Sequence, residues 1–151
     1  MAAPADPNFA TVWTAAGVVV AFSVNAFMFR IGREAQMRAS GSRYWLPPAD
    51  FALLGSLAVV LVGVFVLPVL GASLAFARYA LGWAFLLLAG YPFALAGHYE
   101  ILRGQVPKKT LNRYTNGEDY PYAAEQEKLV LALLVILSVT YFLTIWMREM
   151  A

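Results

Sequence analysis

Four stretches of the chain contain no Asp, Glu, Lys or Arg: Pro7 to Phe29, Phe51 to Ala77, Tyr79 to Tyr99 and Leu129 to Met147, of 23, 27, 21 and 19 residues. A helix rises about 1.5 Å per residue, so about 20 apolar residues cross a hydrocarbon core about 30 Å thick, and each window is long enough. The pattern predicts an all-α membrane protein with four transmembrane helices in an antiparallel up-down bundle. The expected spans are about 9–29, 51–71, 76–99 and 128–147, with connections at about 30–50 and 100–127, forming one domain over the whole chain.

Punctuation between the windows refines these bounds. The first helix is expected to start near Phe9 and to continue past the membrane, because Arg30, Glu34 and Arg38 recur every fourth residue and can pair along one face before Ser40-Gly41-Ser42 ends the helix. Tyr44-Trp45 ahead of Pro47-Pro48 reads as an interfacial aromatic anchor followed by a reset of the chain. Gly71-Ala72-Ser73 leaves room only for a tight hairpin between the second and third helices. Asn116-Gly117 suits a turn, and Asp119, Pro121, Glu125 and Glu127 carry the signals of a helix start ahead of the fourth span.

Inside the spans the side chains point to packing. Ala75, Gly82, Ala89 and Ala96 recur every seven residues on the third helix, with Gly90 and Gly97 alongside, a low-relief stripe that lets membrane helices approach closely. Gly55 and Gly63 offer the second helix a similar surface, and Pro68 and Pro92 each remove a backbone donor within a span. Asn25 is expected to hydrogen-bond between helices, and Ser and Thr to bond their own helix carbonyls.

Composition and charge then set orientation. The chain is 61% apolar and 13% charged, against roughly 45–50% and 25% for soluble domains. Of the eleven basic residues, nine fall in the two long connections and only Arg78 and Arg148 lie on the other side. Positive residues are retained in the cytoplasm, so both termini are expected outside, the long connections cytoplasmic, and the membrane a bacterial inner membrane. Acidic residues in the same connections reduce that face to a net +2, which argues against a polybasic lipid surface and against nucleic-acid binding. No basic residue precedes the first apolar run, so it is expected to be retained and not cleaved as a signal peptide. With no cysteine there is no disulfide, thiolate ligand or thiol nucleophile.

Candidate chemistry gathers at the connection side. His98, the only histidine, sits with Glu100 at the end of the third span, where Glu125 and Glu127 at the start of the fourth could join them around a divalent metal; the alternative is solvated side chains paired with Arg103 and Lys128. The spacing Ala94-x-x-x-His98-x-x-x-Leu102 resembles the pigment-ligating helix of bacterial antenna polypeptides, which implies a tetrapyrrole at His98 as an alternative cofactor. Size, four spans and a short second connection match the layout of the MAPEG superfamily. The Arg, His, Asn and Glu cluster that those enzymes carry on the second helix is absent here, so no membership follows. The leading expectation is a small polytopic protein with no resident cofactor that acts through protein contacts, as an accessory, assembly or oligomer-forming subunit. A membrane enzyme or cofactor carrier with its site at the cytoplasmic rim is the alternative, with Arg103 and Arg113 as cations for an anionic substrate. An oligomeric channel or transporter anchored on Asn25 ranks third.

Overall fold

A computed structural model of the chain describes residues 8–39, 47–99, 102 and 124–150. Helix α1 is Phe9–Ala39. Helix α2 is composite, running from α-helical Pro48–Val60 through π-helical Leu61–Val66 to a last turn, Leu67–Val69. Helices α3 and α4 are Leu74–His98 and Glu125–Met150. Among the described residues there is no strand. Phe9–Arg33, Pro48–Val69, Leu74–His98 and Glu125–Arg148 are each long and apolar enough to cross a membrane. The chain is a helical, multi-pass integral membrane protein whose outer faces meet lipid. The sequence signals at Tyr44-Trp45, Asn116-Gly117, Asp119 and Pro121 lie outside the described residues.

The π-helical segment of α2 has a local cause. Pro68 has no N–H to give the carbonyl of Val64, and its ring crowds that carbonyl. The ladder widens by one residue, so that Leu67 N–H bonds the carbonyl of Val62. The carbonyl released at Val64 is taken by the indole Nε1 of Trp13 on α1, at 3.0 Å. A residue that weakens one helix thereby creates the acceptor that ties it to another.

The hairpin between α2 and α3 is closed by capping. Gly71 takes φ +101°, a conformation that side chains with a Cβ adopt only with strain. Its N–H bonds Pro68 O at 3.1 Å and the next N–H bonds Leu67 O at 2.9 Å, the paired closure of a Schellman end. Ser73 then caps α3, its hydroxyl accepting from Phe76 N–H at 3.2 Å.

Lipid is as apolar as a leucine side chain, so helices here associate by close packing. Val12, Ala16 and Val19 of α1 meet Val60 and Val64 of α2 and Ala77, Leu81 and Ala84 of α3 in one buried cluster. Helix α4 stands outside this trio. It packs along α3, reaches α2 only near Ala49, and makes no contact with α1 among the described residues. Only 6% of its most apolar window is buried.

The small residues of α3 divide between two neighbours. A Cβ on Gly97 would sit 2.8 Å from Glu127 N and 2.9 Å from the carbonyl carbon of Gln126. Gly90 meets Leu134, and Gly82 meets Tyr141. These three glycines are where α4 docks. Ala89 is exposed and Ala96 half-buried, and both border a groove on the α1 side. A seven-residue repeat drifts around a straight helix, so its members need not share one partner.

Candidate functional site

At the end of the bundle from which the two long connections leave, all four helices contribute to a cluster of buried polar side chains. On α1 the inward row is Val12, Ala16, Val19, Ser23 and Arg30, all buried. The spacing of three and four that keeps a helix face toward its neighbours thus carries Arg30 into the interior. There its Nε lies 3.3 Å from Asp50 Oδ1 and its Nη2 3.4 Å from Oδ2, while Nη1 donates to the phenol oxygen of Tyr99 at 2.8 Å. Arg30 and Asp50 are 2% and 1% exposed. Arg30 faces α2, because that is the side on which α1 is packed, and its expected pairing along α1 involves side chains that are not described. The side chains of Glu34 and Arg38 lie outside the described set.

Asp50 is delivered by the start of α2. Pro48 occupies the first helical position, where the missing N–H costs nothing. Asp50 follows within the first turn, close to the positive end of the helix dipole. The phenol of Tyr91, buried on α3, faces the same carboxylate.

Glu127 is fully buried although it belongs to the first turn of α4. Its Oε1 accepts the backbone N–H of Ala49 on α2 at 2.7 Å, and its Oε2 lies 2.9 Å from His98 Nδ1 on α3. One carboxylate therefore caps another helix, satisfying a first-turn N–H for which the N-cap residue, Pro47, has no acceptor side chain, and links three helices. Gly97 makes this possible: with no Cβ it admits the α4 backbone so close that Glu127 passes α3 and reaches α2. The His98 side chain is 15% exposed, and its ring meets that of Tyr99 edge-on at 5.1 Å. A carboxylate oxygen accepts, so a proton carried on Nδ1 of His98 is donated to Glu127 Oε2.

Of the residues singled out in the sequence, the structure joins His98 and Glu127. Glu125 is exposed, and Glu100, Arg103 and Arg113 lie outside the described residues. Among the described residues no group of three His, Cys, Asp or Glu converges on a metal position, and both Glu127 oxygens are already engaged. Ala94, one turn before His98, is packed against Ala49 and Val130, so protein fills the space that a macrocycle on that side would need. Asn25 is exposed and donates to its own helix at Ala21 O, 2.7 Å away, in place of a bond between helices. It lies two residues beyond Ser23, on the opposite side of α1 from the packed row. Thr140 and Thr144 bond Ile136 O and Thr140 O. Ser138 accepts from the Trp83 indole at 3.2 Å. Ser23 is buried with its hydroxyl unpartnered among the described residues.

Sequence reasoning passed over Arg30, Asp50, Tyr91 and Tyr99 as cluster members. Arg30 lies on the α1 face of Val12, Ala16, Val19 and Ser23 and Arg33 does not, but exposed Val18, Phe22 and Phe29 are as apolar as that face, so the sequence does not single it out. Arg33 stays on the outer face, its guanidinium carbon 4.6 Å from the centre of the Tyr99 ring. Beside it, between α1 and α3, an open apolar groove of about 590 Å³ runs along the bundle.

These features define a multi-pass helical membrane protein with two ionisable pairs sealed at one end of its spans. Comparison with protein-family models, with characterised proteins and with solved structures finds no match.

Proposed function

We propose that this protein is a small subunit that acts through helix contacts in the membrane, with other membrane proteins or with further copies of itself, in an accessory, assembly or oligomer-forming role. The one-sided packing of α4 carries the reading: this helix is fixed to α3 through three glycines, touches α2 only near Ala49, and is otherwise little covered by the described residues. A helix in a closed four-helix bundle has two neighbours along its length. In this reading a partner helix supplies the second neighbour. The helices alternate in direction, both termini lie outside, and the long connections face the cytoplasm of a bacterial cell, as the nine-to-two division of basic residues supports. Native mass measurement in mild detergent should show an oligomer or a co-purifying membrane protein, and a stable monomer without a partner would refute the proposal. Ser73→Cys and Thr115→Cys should label from opposite sides of the membrane.

The buried cluster favours a second reading, a membrane enzyme or cofactor carrier with its site at the connection-side rim. Ionisable groups sealed within membrane helices are costly and are usually kept for a function. A carboxylate that orients a histidine ring is also the arrangement that tunes a metal-bound or proton-transferring imidazole. Metal analysis and a visible spectrum of the purified protein decide the cofactor version, which ends if neither a stoichiometric metal nor a chromophore is found.

A further inference from the structure

The groove between α1 and α3 is bordered on α1 from Val18 to Arg33 and on α3 from Phe85 to Tyr99. At about 1.5 Å per residue the borders are about 21–23 Å long. One leaflet with its headgroup layer has the same depth, about 20–22 Å, half of the full bilayer thickness. The volume, about 590 Å³, lies within the range of small-molecule sites, about 300–1,000 Å³. Its walls are apolar except at the connection end, where Arg33 and Tyr99 form the mouth.

The charge at that mouth is specific. Arg30 is engaged by Asp50 and Tyr99 inside the bundle. Arg33, one turn on, rests on the outer face of the Tyr99 ring, and among the described residues no carboxylate pairs with it. The groove thus presents one uncompensated cation at headgroup depth above an apolar channel one leaflet long.

We propose that this groove is a binding site for a single anionic phospholipid of the leaflet on the connection side, with the phosphate at Arg33 and an acyl chain along Ala89 and Ala96. The polar end is not a broad basic surface, which the near-balanced connections do not provide, but one arginine held in place by an aromatic ring. The site is independent of what covers α4.

Native mass spectrometry of the protein released from vesicles of equal parts phosphatidylglycerol and phosphatidylcholine tests this. One retained lipid per chain is expected, with phosphatidylglycerol preferred about fivefold, the factor that corresponds to about 1 kcal/mol per arginine near an anionic headgroup. Arg33→Gln, an exposed change, should bring the preference to parity while a lipid is still retained. Ala89→Phe, also exposed, should remove retention of either lipid by filling the groove, with unchanged helicity showing that the chain is folded. Arg148→Gln, on α4, should leave the preference as in the parent protein. Parity in the parent protein, a preference that survives Arg33→Gln, or retention that survives Ala89→Phe would each overturn the proposal.

Discussion

Replacement of Glu127 by alanine is expected to cost about 3–4 kcal/mol of stability. The side chain is fully buried and supplies two hydrogen bonds, to Ala49 N–H at 2.7 Å and to His98 Nδ1 at 2.9 Å. A hydrogen bond to a charged group contributes about 1.5–3 kcal/mol, and a buried donor left without its acceptor costs about 1–3 kcal/mol. In membranes the unfolded helices find alternative partners, which lowers such values, so the sum is taken at the lower end of its range. Glu127→Gln separates charge from connectivity. The amide oxygen can still accept from Ala49, and the amide NH₂ can donate to Nδ1 if the His98 proton moves to Nε2, so its cost should be about 1–2 kcal/mol. Glu125→Ala, two residues earlier and exposed, should change stability by less than about 0.5 kcal/mol. Unfolding in mixed micelles, followed by far-ultraviolet circular dichroism as the denaturing detergent is raised, measures all three. If Glu127→Ala falls within about 0.5 kcal/mol of the parent protein, or matches Glu125→Ala, the clasp is not what holds the three helices together at this end.

Asp50→Leu should cost about 3–5 kcal/mol because it removes the buried carboxylate that pairs with the Arg30 guanidinium, and Arg30→Met/Asp50→Leu together should cost less than Asp50→Leu alone; equal or greater loss in the double variant would show that the two side chains are not coupled. Gly97→Ala should destabilise by about 1–3 kcal/mol, since the added Cβ meets the α4 backbone. Gly55→Ala, whose Cβ would find Leu87 at 3.5 Å, should be nearly neutral in the same unfolding assay. Trp13→Phe should cost about 1 kcal/mol by leaving Val64 O without its indole partner. That cost should shrink in a Pro68→Ala background, where residue 68 regains an N–H for the same carbonyl; a double-mutant cycle with no coupling would refute the link between the proline and the indole.

How much of this was legible in the sequence varies from residue to residue. The expected Ser40-Gly41-Ser42 stop lies outside the described residues, whereas helix α2 opens at Pro48, because the backbone preferences of Pro act locally. The hairpin at Gly71-Ala72-Ser73 was legible for the same reason. His98 and Glu127 were named as neighbours, since both lie where α3 ends and α4 begins. Arg30 and Asp50 were read as charges of the first long connection, because sequence places a residue at a depth along a helix but does not say which way it faces among its neighbours. Asn25 shows the converse error: a polar residue within a span suggested a bond between helices, and its direction turned it outward.

Run length of apolar residues by itself determined that this chain has four membrane-length helices, since that depends on a rise of about 1.5 Å per residue. Only the tertiary structure decided that α4 rests along α3 and reaches α2 only near Ala49, that Gly82, Gly90 and Gly97 are its seat, and that Arg30, Asp50, His98 and Glu127 are brought together inside the bundle. Helix rotation and neighbour choice in lipid are settled by close packing between surfaces distant in sequence, where differences of one methyl group decide contact, and no apolar periodicity marks an inside when both partner helix and lipid are apolar.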